Sequence, residues 1–340
     1  MKKISLLIIA FFYLSLLSSC STADENPTVP QQQKETVVEH YGQLQISGKN
    51  VVDKNGDIVA LRGMSLFWSQ WGGAFYNKET ITWLRDEWKC TIVRAAMGVE
   101  GGGYLEFPEV EYAKVKQVID ACIELGIYVI VDWHDHHGES HLEESKAFFN
   151  RISSDYGSYP NIIYEIFNEP LDVSWKDVLK PYSEAVISTI RANDPNNIIV
   201  VGTPNWSQDV EDVISDPISS TNIAYTFHFY SSTHKQELRD KAIQAIAAGL
   251  PLFVTEWGMS EASGNGIIDS QSLNEWATFM ETNNLSWCNW SLINKDETSA
   301  ALLPTTTSLS GWTQDELTES GKRISDYLIR INSSIFDLLK

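Results

Sequence analysis

The segment NIIYEIFNEP, residues 161–170, carries the pattern on which the fold prediction depends. Its apolar run from Ile162 to Phe167 is continuous rather than alternating, which is typical of a parallel strand buried on both faces. Asn168 and Glu169 follow the run directly, and Pro170 then ends the strand because proline has no backbone N–H to donate. The segment therefore predicts a buried strand that delivers an amide and a carboxyl group to its C-terminal end.

Seven further strand-like runs recur along the chain, at 57–65, 91–97, 127–133, 197–202, 222–229, 251–257 and 285–291. Helix-like segments follow or separate them, at 79–89, 109–125, 141–155, 174–193, 234–248, 270–283 and 314–331. Eight strands alternating with helices predict an α/β fold, a single-domain (β/α)₈ TIM barrel. An open doubly wound sheet is the alternative, but no glycine-rich phosphate loop follows the first strand. A small hairpin at 44–53, with a turn at 54–56, is expected to cover the bottom of the barrel.

Polar and aromatic residues cluster where these strands end, which is where the active sites of such barrels lie. PLFVTEWG, residues 251–258, repeats the plan of the first segment and delivers Glu256. Two carboxyl groups on two strand ends are the minimum equipment for hydrolysing a glycosidic bond. The other strand-end residues are Arg94, His134, Asn168, His228, Tyr230 and Trp290.

Six segments at these strand ends, VRAAM, VDWHDH, IFNEP, FHFY, TEWG and NWSL, together resemble glycoside hydrolase family 5. The resemblance is to the bacterial endo-β-1,4-glucanase (cellulase) branch, and it runs in order from about residue 43 to 330. It implies a retaining endo-β-1,4-glucanase acting on cellulose and related β-glucans. It also implies that no cofactor and no metal ion takes part.

The resemblance implies a role for each matching residue. Glu169 would be the general acid/base and Glu256 the nucleophile, so neighbouring groups must hold their pKa values apart. Arg94 and Tyr230 would stabilise ionised Glu256, whereas His228 would set the proton affinity of Glu169. The implied sugar contacts are a hydrogen bond from Asn168 to the 2-hydroxyl, His134 beside the cleaved sugar, and Trp290 beneath a pyranose ring.

Further sugar contacts are implied on both sides of this group. Trp68 and Trp71, after the first strand, suit stacking against sugar rings, and Lys295 and Glu297 match positions that bind sugar hydroxyls. One departure concerns Phe67, which stands where many relatives have a histidine. This substitution bears on the sugar subsites and leaves the carboxyl pair unaffected.

Three other functions remain open on the sequence. An endo-β-1,4-mannanase would differ in the orientation of one substrate hydroxyl. A metal-dependent hydrolase would use the His134-Asp135-His136 run as ligands, with His228 as a further one. A catalytically silent glycan-binding lipoprotein would bind oligosaccharides without cleaving them. His136 and His137 have no assigned role and are expected near the rim of the cleft.

The N-terminus predicts export and a lipid anchor. Residues 1–19 read as a lipoprotein signal peptide, Cys20 as the lipidated residue, 20–38 as a flexible linker, and 39–340 as the catalytic domain. We expect an exported bacterial lipoprotein, anchored at the outer membrane or cell surface and monomeric. The formal charge of −20 argues against nucleic acid as a partner. An odd number of remaining cysteines, Cys90, Cys122 and Cys288, predicts buried free thiols.

Overall fold

The computed structural model describes residues 35–339, which form one closed eight-stranded parallel barrel surrounded by helices. The predicted signal peptide, Cys20 and all but the last four residues of the predicted linker lie outside the described residues. The barrel strands are β3 (Arg62–Leu66), β4 (Ile92–Gly98), β5 (Tyr128–His134), β6 (Ile162–Glu165), β7 (Ile199–Val201), β8 (Ile223–Tyr230), β9 (Leu252–Gly258) and β10 (Trp287–Leu292). Each pairs with its neighbours in chain order, and β10 closes the ring against β3.

The helices are α1 (Val37–Tyr41), α2 (Ser69–Gly72), α3 (Lys78–Asp86), α4 (Pro108–Leu125), α5 (Leu142–Tyr156), α6 (Lys180–Arg191), α7 (Pro204–Ser207), α8 (Gln236–Ala247), α9 (Ser270–Thr282) and α10 (Glu319–Leu338). A π-helical turn, Trp175–Leu179, leads into α6, and short 3₁₀ turns cover Gly73–Phe75, Gly138–His141, Val210–Val213 and Gln314–Glu316. The predicted (β/α)₈ TIM barrel is therefore confirmed. Within residues 35–339, no helix is both long and apolar enough to cross a membrane.

The barrel strands are buried along almost their whole length, which explains their continuous apolar sequences. Close packing between the first two barrel strands requires glycine at one position. A Cβ atom on Gly63 would lie 1.7 Å from the Ile92 carbonyl oxygen, so no other residue fits there without moving the backbone. Helix α4 ends at residue 125, as its sequence segment predicts, because Gly126 adopts a left-handed conformation with φ of 65°.

Two predicted boundaries are wrong, both near the N-terminus. The first barrel strand begins at Arg62 instead of residue 57, because Ile58 pairs outside the barrel with Val52. The folded domain also starts before residue 39, since Val37 and Val38 of α1 are buried. A two-stranded hairpin, β1 (Gln45–Ser47) and β2 (Asn50–Val52), lies on the bottom of the barrel and turns at residues 48–49. The predicted turn at 54–56 is also present, and it joins Val52 to its partner Ile58.

Candidate active site

The C-terminal ends of the barrel strands bring the predicted site residues together on one face. They are Arg94 on β4, His134 on β5, Asn168 and Glu169 after β6, His228 and Tyr230 on β8, Glu256 on β9, and Trp290 on β10. The pairing of β8 with β9 shifts register just before this point, and His228 and Glu256 then become direct neighbours. Irregularities of this kind commonly re-aim side chains next to active sites.

Glu256 is held by two donors, one for each of its carboxyl oxygens. Arg94 Nη1 donates to Oε2 at 2.9 Å, and the Tyr230 hydroxyl donates to Oε1 at 2.7 Å. Glu256 is 4% exposed, and Arg94 is fully buried. Because a guanidinium is always charged and can only donate, this pairing favours the ionised carboxylate.

Arg94 is itself positioned by two buried acidic residues that the sequence analysis did not identify. Glu165 accepts from Arg94 Nε at 2.7 Å and from Nη2 at 3.1 Å, and Asp132 lies 2.9 Å from Nη2. The same Nη2 donates to Asn168 Oδ1 at 2.5 Å. A signal was available in the sequence, since Asp132 and Glu165 each follow an apolar run within a predicted buried strand, and buried charges need partners.

Glu169 contacts two imidazoles. His228 Nδ1 lies 2.9 Å from Glu169 Oε1, and His136 Nε2 lies 3.2 Å from Oε2. On its other side, His228 Nε2 lies 2.8 Å from the Thr255 hydroxyl, which donates its proton to Glu165 at 2.6 Å. That hydroxyl can therefore only accept from His228, so Nε2 carries a hydrogen. The Nδ1–Oε1 contact then shares a single proton, held either by His228 or by Glu169.

The pKa values in this group follow from burial and these contacts. Burial alone would raise the pKa of Glu169, but hydrogen bonds from His136 and His228 lower it to about 2. Burial would lower the pKa of His228, but Glu165 and Glu169 raise it to about 9. Burial and the charge of Glu169 raise the pKa of Glu256. The shared proton therefore rests on His228 in this arrangement.

This order of proton affinities is the reverse of the prediction that Glu169 is protonated and Glu256 ionised. We therefore assign the catalytic roles of the two carboxyl groups from their hydrogen-bond partners, because these partners determine which group can exchange a proton. Both hydrogen-bond partners of Glu169 are imidazoles, which gain and lose protons readily. Moving the proton of His228 across 2.9 Å to Glu169 would also neutralise both residues, and the charge of Glu169 raises the pKa of Glu256 more than the charge of His228 lowers it.

Aromatic side chains line the cleft beside the carboxyl groups. Trp290 lies parallel to His134 with ring centres 5.2 Å apart, and Trp68 meets the same imidazole edge-on at 4.1 Å. Burial and the charge of Arg94 hold the pKa of His134 well below its ordinary value, so this ring is neutral. Trp71 packs on Trp68 and is 62% exposed. The cleft thus presents an open indole surface on one side.

Trp206 supplies a further exposed aromatic surface beside Glu169, and the sequence analysis did not identify it. Trp206 is 45% exposed, and it lines a cavity of about 370 Å³ together with Glu169, His228 and Tyr230. In α7, Trp206 adopts left-handed backbone angles, with φ of 57°, and its N–H donates to the Pro170 carbonyl at 2.7 Å. Strained backbone of this kind is concentrated at functional sites.

Lys295 and Glu297 lie after β10 and form an ion pair with each other. The Lys295 ammonium group also lies 5.1 Å from the centre of the Phe67 ring, and Phe67 packs against Trp290 at 5.3 Å. Phe67 therefore connects the pair to the aromatic side of the cleft. The three cysteines of the described chain are buried and unpaired, as predicted.

The rival prediction of a metal pair in the His134-Asp135-His136 run finds little support. The ring of His134 is 2.6 Å from Asp132, and that of His136 contacts Glu169, so the two imidazoles have separate partners. Among the described residues, Glu169, His228 and Glu256 do place one donor atom each within 4.8 Å of one another. The hydrogen bonds given above already account for those atoms.

A closed parallel barrel with two carboxyl groups facing each other at its strand ends is typical of retaining glycoside hydrolases. Comparison with known families agrees with this class. The family described as cellulase (glycosyl hydrolase family 5) matches residues 52–296. The chain belongs to this family.

Individual relatives extend the match over nearly the whole chain. Endoglucanase A of Evansella cellulosilytica is 46% identical over 340 residues, covering 98% of this chain and 68% of that protein. Endoglucanase Z of Dickeya dadantii is 44% identical, covering 96% of this chain and 72% of its own. The solved catalytic domain of Thermobifida fusca endoglucanase Cel5A is 33% identical with a TM-score of 0.83, covering 86% of this chain and 99% of that domain.

Proposed function

We propose that this protein is a retaining endo-β-1,4-glucanase that cuts internal bonds of cellulose and related β-glucans. The observation that carries the proposal is the spacing of the carboxyl groups, since one oxygen of Glu169 and one of Glu256 lie within 4.8 Å of each other. Retaining glycosidases place these groups about 5–5.5 Å apart, whereas inverting enzymes need about 6.5–9.5 Å to admit a water molecule. The family and its endoglucanase relatives support the same substrate class.

In the first step, an oxygen of Glu256 attacks the anomeric carbon and forms a glycosyl ester as the glycosidic C–O bond breaks. Glu169 gives the proton shared with His228 to the leaving oxygen. In the second step, Glu169 takes a proton from water, which attacks the anomeric carbon and releases Glu256. Arg94 and Tyr230 stabilise the carboxylate that is consumed and regenerated.

Substrate contacts follow from the surfaces on either side of the carboxyl groups. Trp290, Trp68 and Trp71 would stack against sugars on the side that forms the covalent intermediate, and His134 would line the same subsite. Asn168 has an amide nitrogen without a partner among residues 35–339, which supports its predicted bond to the 2-hydroxyl. Lys295 and Glu297 remain proposed contacts for sugar hydroxyls.

The test is a substrate panel with matched active-site variants. Residues 35–340, which retain α1, are assayed for viscosity loss and reducing ends on carboxymethylcellulose, barley β-glucan, glucomannan and galactomannan. We expect rapid viscosity loss on the glucans, which Glu256→Ala abolishes. Activity on the mannans alone would reassign the enzyme as an endo-β-1,4-mannanase. Tight binding of cello-oligosaccharides without cleavage would instead identify a glycan-binding protein.

Glu169→Gln separates the acid/base role from a structural role. The amide cannot donate a carboxylic proton, so hydrolysis of cello-oligosaccharides is expected to fall by about 100-fold or more. Cleavage of a dinitrophenyl cellobioside in the first step is expected to fall much less, because that leaving group needs no proton. Equal losses on both substrates, or no loss, would contradict the assignment.

We also propose that the protein is a monomeric exported lipoprotein anchored through Cys20, at the outer membrane or cell surface. The support for export and for the anchor is the sequence of residues 1–20 alone. Cys20→Ala is expected to move the protein from the membrane fraction to the soluble fraction. Its persistence in the membrane fraction would contradict lipidation as the anchor. The molar mass of residues 35–340, measured by light scattering, tests whether the protein is a monomer.

A further inference from the structure

A second group of metal-ligating side chains lies on two loops outside the catalytic carboxyl pair. Glu100 follows β4, and His137 and His141 lie in the segment that connects β5 to α5. Glu100 Oε1 is 3.8 Å from His141 Nε2, and Glu100 Oε2 is 3.2 Å from His137 Nδ1. The proposed mechanism uses none of these three residues.

Asp135 accepts hydrogen bonds that orient the two histidines, as a carboxylate behind the ligands of a metal site does. It is 2% exposed, and its Oδ2 accepts from His141 Nδ1 at 2.8 Å while its Oδ1 accepts from the His137 backbone N–H at 2.9 Å. The first contact places the hydrogen of a neutral His141 ring on Nδ1, which leaves the Nε2 lone pair facing Glu100. Histidine ligands of metal ions are oriented in this way by a carboxylate behind them.

We propose that Glu100, His137 and His141 bind one divalent first-row transition-metal ion, with Zn²⁺ as the representative of this class. Two ligands bound to Zn²⁺ at about 2.0–2.1 Å lie no more than about 4.2 Å apart. The separation of 3.8 Å between Glu100 Oε1 and His141 Nε2 fits this limit. Two imidazoles with one carboxylate favour such ions over Ca²⁺ and Mg²⁺, which prefer oxygen ligands alone.

The bound ion would be structural, and it would connect the loop after β4 to the loop after β5. The side chains of Glu100 and His137 are about half exposed, so the ion can enter from solvent. The second loop adjoins the catalytic group, because the Asp135 carbonyl accepts from the Glu169 N–H at 3.2 Å. Binding would therefore fix the segment that contacts the acid/base, while the two-carboxylate chemistry proceeds without the ion. The inference does not depend on the proposed substrate.

Calorimetric titration of Zn²⁺ alone tests the site directly. Residues 35–340 are treated with EDTA, desalted and titrated with ZnCl₂, alongside Glu100→Gln, His137→Gln and His141→Gln. The matched control is His40→Gln, because His40 forms the other described surface pair of this kind, lying 3.4 Å from Glu35. We expect one ion per chain, with affinity at least about 10-fold weaker in each of the three site variants and unchanged in the control.

Thermal melts supply a second readout that is independent of activity. Zn²⁺ should raise the melting temperature of the wild-type protein and raise it less in Glu100→Gln, a nearly isosteric change at a half-exposed position. Absence of binding at roughly 1 mM Zn²⁺ would overturn the proposal, as would equal affinity in wild type and Glu100→Gln. Loss of binding in Glu256→Gln but in none of the three site variants would place the ion in the catalytic cleft and would also overturn it.

Discussion

Replacing His228 by asparagine tests the proton that this residue shares with Glu169. Asparagine retains an N–H donor near the position of Nδ1 but cannot store a proton. In the wild-type protein, the shared proton is lost only as the pH rises through the pKa of His228, about 9. The enzyme should therefore keep its acid form throughout the neutral range and lose kcat/KM on the alkaline side near that value.

The size of the effect follows from what remains around Glu169 in the variant. Without a charged His228, the positive charge that lowers the pKa of Glu169 on that side is absent, whereas burial still raises the pKa and the hydrogen bond from His136 still lowers it. In the variant, we expect kcat/KM to fall on the alkaline side as Glu169 itself loses its proton. This should occur in the pKa range of ordinary glutamic acids, about 4–5. At pH 7, fewer than about one molecule in a hundred would hold the proton. The loss in kcat/KM would then be about 100-fold or more, or about 2.7 kcal/mol.

The assay is kcat/KM for cellohexaose between pH 4 and pH 10, with circular dichroism to verify folding. His40→Asn is the control, because His40 is a partly exposed histidine that is paired with Glu35 and lies outside the proposed site. A dinitrophenyl cellobioside gives a second control, since its departure needs no acid and should lose little activity in His228→Asn. An alkaline limb that stays near pH 9 in the folded variant would refute the shared-proton reasoning.

Three further changes test other contacts of the site. Tyr230→Phe removes the 2.7 Å hydrogen bond to Glu256. Because a hydrogen bond to a charged group is lost, kcat/KM should fall by about 10- to 100-fold. Unchanged kinetics would contradict that contact. Trp206→Ala removes the aromatic surface beside Glu169. The kcat/KM for cellohexaose should fall about 2- to 10-fold, while the melting temperature stays the same. An unchanged kcat/KM would exclude stacking of a sugar on Trp206. Glu165→Gln removes the negative charge that binds the Arg94 guanidinium, so both the melting temperature and kcat should decrease. Normal values of both would show that Arg94 is positioned without Glu165.

The sequence predicted the structure well where a single physical requirement, such as burial, applies to every residue of a continuous segment. Strands buried on both faces must be apolar throughout, so the eight runs were visible, and the residues after them were placed correctly at one end of the barrel. The beginning of the first strand was not visible. The apolar residues at 58–61 satisfy the same pattern, although Ile58 pairs with the hairpin.

Contacts between distant segments were the harder part to predict. His136 lies in the loop after β5 and contacts Glu169, which follows β6, and no periodicity describes such a loop. Trp206 is presented by three consecutive residues with left-handed backbone angles, which its sequence, PNWS, does not specify. The strand ends supplied the carboxyl pair and the resemblance to the family supplied its roles, whereas the proton affinity of Glu169 also depends on His136, to which neither gave a role.

In the proposed mechanism, Glu256 forms a covalent bond with the sugar. The most direct measurement uses dinitrophenyl 2-deoxy-2-fluoro-β-cellobioside, in which the fluorine slows release of the intermediate, followed by mass spectrometry of peptides from the labelled protein. We predict one cellobiosyl label per chain, located on Glu256, together with products that retain the β configuration when natural substrate is followed by NMR. A label on Glu169, or α-configured first products without any label, would contradict the account.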